Sequence, residues 1–139
     1  MPNAARIDVH THVVPPFWAE ELPSHGGDPS GWSTPAWSPE AHLAFMNDQQ
    51  VATSVLSLTA PSVVAWEGQE RRDMARRVNE YVAELVSRYP GRFGNFATVP
   101  LPDVEGAVAE AYWCSPGCWT ATRTRRSSWR TRAGSSPTR

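Results

Sequence analysis

Arg6-Ile7-Asp8-Val9-His10-Thr11-His12-Val13-Val14 decides how the rest of the chain is read. It reads as a strand, ended by Pro15-Pro16. Side chains on a strand alternate between faces. Asp8, His10 and His12 are therefore expected on one face, and Ile7, Val9, Thr11 and Val13 on the other. The apolar face can pack on helices while the polar face points into a barrel or cleft. Two imidazoles two residues apart can converge on one metal ion, with bonds of roughly 2.0–2.1 Å. The plainer reading is an edge strand with two histidines in water. Position favours the metal, because the motif closes the first strand and barrel chemistry sits at C-terminal strand ends.

Beyond this strand the periodicity keeps alternating. Residues 15–37 read as a long loop holding Trp18, Trp32 and Trp37. Ser38-Pro39-Glu40 predicts a helix start, with a side-chain cap, a proline in the first turn and a carboxylate at the positive end. Val51–Thr59 is β-branched and apolar, as a buried strand requires. Gln69–Tyr89 repeats Met74, Val78, Tyr81, Val82, Leu85, Val86 and Tyr89 at helical spacing, and Pro90-Gly91 stops it. Arg92–Val99 predicts a third strand, and Pro102-Asp103 opens a third helix with Val104, Ala107, Val108 and Ala111 on one side. Strand–helix alternation of this kind predicts an α/β fold with a parallel sheet, three β/α units long.

The chain has 139 residues. A closed eight-unit β/α barrel needs roughly 250. Charge divides the sequence in two. Residues 1–112 hold all 14 acidic residues and seven of the 13 arginines, whereas 113–139 hold six arginines and no acid. The second segment, WCSPGCWTATRTRRSSWRTRAGSSPTR, uses eight residue types and lacks Leu, Ile, Val, Met and Phe. It reads first as an out-of-frame translation of GC-rich DNA, the absence of lysine fitting such a gene. A basic disordered tail is the second reading and a nucleic-acid-binding tail the third. Residues 1–112 thus form the expected domain and 113–139 an aberrant or disordered tail. Cys114 and Cys118 make one pair with no histidine nearby, too few donors for zinc. The absence of other cysteines fits a cytoplasmic setting, and no apolar run is long enough for a membrane span.

The motif Arg6-Ile-Asp-Val-His-Thr-His12 resembles the first strand of the amidohydrolase superfamily. Val14-Pro-Pro16, Trp37-Ser-Pro-Glu-Ala-His-Leu43, Ser54-Val-Leu-Ser57, Ala75-Arg-Arg-Val-Asn-Glu-Tyr81, Tyr89-Pro-Gly-Arg-Phe-Gly94 and Phe96-Ala-Thr-Val-Pro-Leu-Pro102 resemble its amidohydrolase-2 branch. That branch contains aminocarboxymuconate-semialdehyde, methylsalicylate and resorcylate decarboxylases. The resemblance covers about residues 5–112. It implies the N-terminal part of a TIM-type (β/α)8 barrel with one divalent metal, often zinc, and His10 and His12 as its first two ligands. It also implies a small aromatic or muconate-type carboxylic acid as substrate, no membrane or nucleic-acid partner, and a homodimer as one state open to the intact enzyme. The family's later histidines and its catalytic aspartate have no counterpart here, since His25 and His42 fall in the first loop and first helix. No catalytic residue is therefore assigned, and the chain by itself is expected to be inactive. Phe17 and Trp18 are candidate substrate contacts, with simple packing of the loop as the alternative. Arg71, Arg72, Arg76 and Arg77 share a helix with acids and read as a solvated face. An amidohydrolase-type hydrolase and a non-catalytic metal- or nucleic-acid-binding protein are the competing functional readings.

Overall fold

A computed structural model describes residues 6–114. The expectations for residues 115–139, Cys118 included, fall outside the described residues. Three strands, β1 (Arg6–Val13), β2 (Val51–Leu58) and β3 (Phe93–Asn95), form one parallel sheet in the order β1-β2-β3. Each crossover is helical. α1 (Pro16–Glu21) and α2 (Pro39–Asp48) join the first pair, and α3 (Gly68–Arg88) joins the second. α4 (Val104–Cys114) follows β3. The predicted α/β alternation is present, and residues 15–37 are more ordered than a plain loop, holding α1 and a 3-10 turn at Leu22–His25.

The local causes are legible. Ser38 Oγ accepts from the Ala41 N–H at 3.1 Å, and Pro39 opens α2. This satisfies a donor that a helix N-terminus otherwise leaves orphaned. α3 buries Met74, Ala75, Val78, Asn79, Val82, Ala83 and Leu85, one stripe along 21 residues. That stripe meets two apolar clusters. One gathers Val14, Trp18, Leu22, Val63 and Trp66; the other gathers Val13, Met46, Leu56 and Phe93.

Two elements depart from the sequence expectation. β3 covers three residues rather than the stretch to Val99. The cause is Asn79, whose Nδ2 donates to the Thr98 carbonyl and whose Oδ1 accepts from the Thr98 N–H, both at 2.8 Å. A side-chain amide here satisfies the backbone groups that a ladder would have used. α4, in turn, meets α3 through its polar side. Arg72 pairs with Asp103, and Arg76 binds Glu110, which is only 4% exposed. Gly106 lies in this seam, where a Cβ would come within 2.9 Å of Arg72 Nε. Val104, Val108 and Tyr112, spaced along the opposite side of the helix, are exposed.

Candidate functional site

His10 and His12 sit near the C-terminal end of β1, with ring centroids 5.5 Å apart and nearly perpendicular. Val13 is enclosed among the helices, so strand alternation turns His12 to the opposite face of the sheet. Ser57 of β2 is paired with His12 and meets it there, Nδ1 to Oγ at 3.1 Å. The Ser57 hydroxyl also donates to the Thr11 carbonyl at 3.2 Å. Beside Ser57 opens an apolar cleft of about 350 Å³, lined by Leu58, Ser62, Val63, Phe96, Thr98 and Leu101 among others. The cleft lies at the C-terminal ends of β2 and β3, the end where barrel chemistry is built.

Asp8 does not join the histidines. The β1–β2 register shifts between Asp8 and Thr11, pairing Asp8 with Ser54 and Thr11 with Leu56. Paired residues of parallel strands share a face, and Leu56 lies in the helix-covered core. Asp8 is thereby turned to the helix side, where its charge acts on His42 of α2. Its carboxylate also accepts from the His10 N–H at 3.0 Å. The strict alternation expected from Asp8 to His12 is broken by this irregularity.

The residue set suits part of a metal site. Two imidazoles with one ring oriented by a hydroxyl match the usual build of a histidine ligand pair. Among the described residues no group of three His, Cys, Asp or Glu side chains could hold a metal ion. A complete site of the usual three protein ligands needs further donors.

The two aromatic candidates are placed elsewhere. Trp18 is 0% exposed, tilted against Trp66, and donates Nε1–H to the Ser62 carbonyl at 2.9 Å. Full enclosure leaves it no surface for a ligand, so its link to the site is indirect, through the cleft-lining Ser62. Phe17 packs edge-on to Tyr81 and beneath the Arg77 guanidinium, against α3. His25 stacks on Trp66, and His42 lies between Trp37 and Phe93. Arg71, Arg72, Arg76 and Arg77 of α3 are not merely solvated. Arg71 donates to the Trp66 carbonyl and Arg77 pairs with Glu21, alongside the bonds of Arg72 and Arg76 to α4. Sequence reading passed over Ser57. The signal for it was present, since a hydroxyl on the strand next to a His-x-His strand can reach a ring nitrogen.

A family model described as Amidohydrolase, of the type Amidohydro_2, matches residues 7–113. The decarboxylase yanB of Aspergillus niger is 43% identical over 113 residues, covering 78% of this chain and 31% of the relative. The 6-methylsalicylic acid decarboxylase of Penicillium expansum is 38% identical over 114 residues, covering 80% of this chain and 35% of the relative. Among solved structures, one described as amidohydrolase II superposes with a TM-score of 0.74 at 35% identity, covering 79% of this chain and 36% of that one. A dihydroxybenzoic acid decarboxylase from Polaromonas sp., with bound manganese and the inhibitor 2-nitroresorcinol, superposes with a TM-score of 0.58 at 29% identity, covering 79% of this chain and 34% of that one. The chain thus spans about a third of the length of these relatives, and its three β/α units correspond to part of their barrel. Carrying the His-x-His strand, the parallel order and a family match over most of its length, the chain belongs to the amidohydrolase family.

Proposed function

We propose that residues 1–112 form the N-terminal part of a metal-dependent decarboxylase of aromatic carboxylic acids, with His10 and His12 as two of the metal ligands. The observation that carries this reading is the His10–His12 pair beside an apolar cleft, the two joined by Ser57. The relatives named above as decarboxylases support the choice of reaction over hydrolysis. A divalent ion, zinc or manganese, would supply electrostatic stabilisation of developing negative charge and a fixed point for a carboxylate. This chain's own groups do the rest. The imidazoles present ring nitrogens at the strand end. Val63, Phe96 and Leu101 offer apolar walls that exclude water from a planar ring. Trp18 acts behind the site by tethering Ser62, while Phe17 packs against α3.

Two imidazoles alone hold a metal weakly, and the described residues contain no third converging donor. The chain is therefore expected to take up zinc or manganese weakly and to release no carbon dioxide from 6-methylsalicylate or 2,6-dihydroxybenzoate. No helix of the described residues is long and apolar enough to cross a membrane. Residence in the cytoplasm fits the absence of cysteine before Cys114.

The test measures metal per chain after dialysis against Zn²⁺ or Mn²⁺, in parallel with carbon dioxide release. Uptake should fall in His10→Ala and in His12→Ala. Uptake indifferent to both substitutions would remove the metal reading. Turnover abolished by His10→Ala would show that the missing ligands come from a second copy or from residues assigned no role here.

A further inference from the structure

We propose that Ser57 is a positioning residue that fixes His12 as the Nδ1–H tautomer, so that Nε2 is its metal-binding atom. The proposal rests on the metal reading given above and deepens it. A serine hydroxyl carries one proton. Ser57 Oγ lies 3.2 Å from the Thr11 carbonyl, which can only accept and so draws the hydroxyl proton. With the proton there, the same oxygen accepts from His12 Nδ1 at 3.1 Å. In that arrangement Nδ1 carries hydrogen, and in a neutral ring this leaves the lone pair on Nε2.

The relay is built into the sheet. His12 and Ser57 are partners in the β1–β2 register, and Thr11 is the residue preceding His12. The three groups therefore keep their spacing as long as the two strands stay paired. The bond also limits rotation of the ring, so less freedom is lost when an ion binds. Ser57 is at the same time a wall of the apolar cleft. The group that orients the ligand thus borders the space proposed for substrate. Bonds of this kind to a ligating histidine typically change metal affinity by about 10–100-fold when removed.

The experiment uses the full 139-residue chain. The histidine tautomers are read without metal, from long-range ¹H–¹⁵N correlations of the ¹⁵N-histidine-labelled protein, with His12 assigned by its loss in His12→Gln. Zn²⁺ affinity is read separately, by competition with a chromophoric chelator. The unaltered chain should show His12 protonated at Nδ1. Ser57→Ala should mix the two tautomers and weaken zinc binding by about tenfold or more, while Ser57→Thr, which keeps the hydroxyl, should restore both readouts. An Nε2–H ring in the unaltered chain, or a Ser57→Ala ring that stays Nδ1–H, overturns the proposal. Loss of the tautomer preference with zinc affinity unchanged overturns it as well. Zinc uptake indifferent to His12→Gln, with the ring still Nδ1–H, overturns the ligation that both readings share, and the intact tautomer distinguishes that failure from a failure of Ser57.

Discussion

Strands β1 and β2 lie side by side, are eight residues long each, and have comparable β-forming composition, yet they live in different surroundings. β2 has a neighbour on either edge and helices over one face, and its Ser54 and Leu56 are 1% and 0% exposed. β1 has a neighbour on one edge among the described residues, and its Ile7 and Val9 are 64% and 61% exposed. Ile7 pairs with Thr53, on the face opposite Ser54 and Leu56, whereas Val13 at the other end of β1 is enclosed by the helices. What differs is the face each side chain takes and the cover that face has, not the propensity of the residues. The polar chemistry belongs to the less covered strand and the hydroxyl that orients it belongs to the enclosed one, so the candidate site straddles the boundary between the two environments.

Truncating one apolar side chain on each strand tests this contrast most strongly. Leu56→Ala removes a fully enclosed side chain and should cost about 2–5 kcal/mol in urea unfolding. Val9→Ala should change stability by less than about 0.5 kcal/mol, as at ordinary exposed positions. Equal costs would mean that β1 is covered in solution, for instance by a second copy pairing along its open edge. A smaller effect is expected at the far border of the sheet. Asn79→Ala strands the Thr98 N–H and C=O, and should cost about 1–3 kcal/mol. No loss of stability, with β3 lengthened toward Val99, would show that the strand ends at Asn95 for some other reason.

The smallest effect is expected at His42, through which the edge strand is felt by the helices. Burial lowers its pKa below the usual value near 6.5, against an opposing pull from Asp8. In the neutral ring Nδ1 accepts from Trp37 Nε1–H at 3.2 Å, a role that a protonated nitrogen loses. The folded pKa is thus below the unfolded one, and the unfolded chain binds the proton first as pH falls. The stability contributed is complete above about pH 6.5 and declines as the pH drops toward the folded value. Urea midpoints at pH 7.5 and 5.5 should show this decline, and His42→Gln should flatten it. An unchanged slope in the variant would assign the decline to another group.

Local signals made α2 and α3 legible, whereas α1 was hidden in a stretch read as loop. The apolar repeat from Met74 to Leu85 and the Ser38 cap lie within a few residues of what they determine. The end of β3 was not legible, because the Asn79 that ends it lies 19 residues from Thr98. The partners of Arg72, Arg76 and Arg77 are 31, 34 and 56 residues distant, so a row that looked solvated turned out to be three clamps. Strand alternation anticipated that His10 and His12 would lie close, and their rings are 5.5 Å apart. Asp8 was misplaced because a register shift is set by the neighbouring strand, which a single-strand pattern does not contain. Trp18 was ambiguous for a related reason. An indole in a loop can cover a ligand or fill a core, and its bond to Ser62, 44 residues on, decides for the core.

The Asn79 clamp has a mechanical consequence. The cleft beside the histidines has one wall, Ser57 and Leu58, carried by the sheet. The opposite wall includes Thr98, which lies beyond β3 and is fastened to α3 by two hydrogen bonds with the Asn79 amide. The two walls are therefore held by different means, strand pairing on one side and the Asn79 amide on the other, with the Phe96 N–H still donating to the Leu56 carbonyl at 2.9 Å between them. A change at Asn79 thus loosens the Thr98 wall while His12 and Ser57, set by strand pairing, keep their spacing.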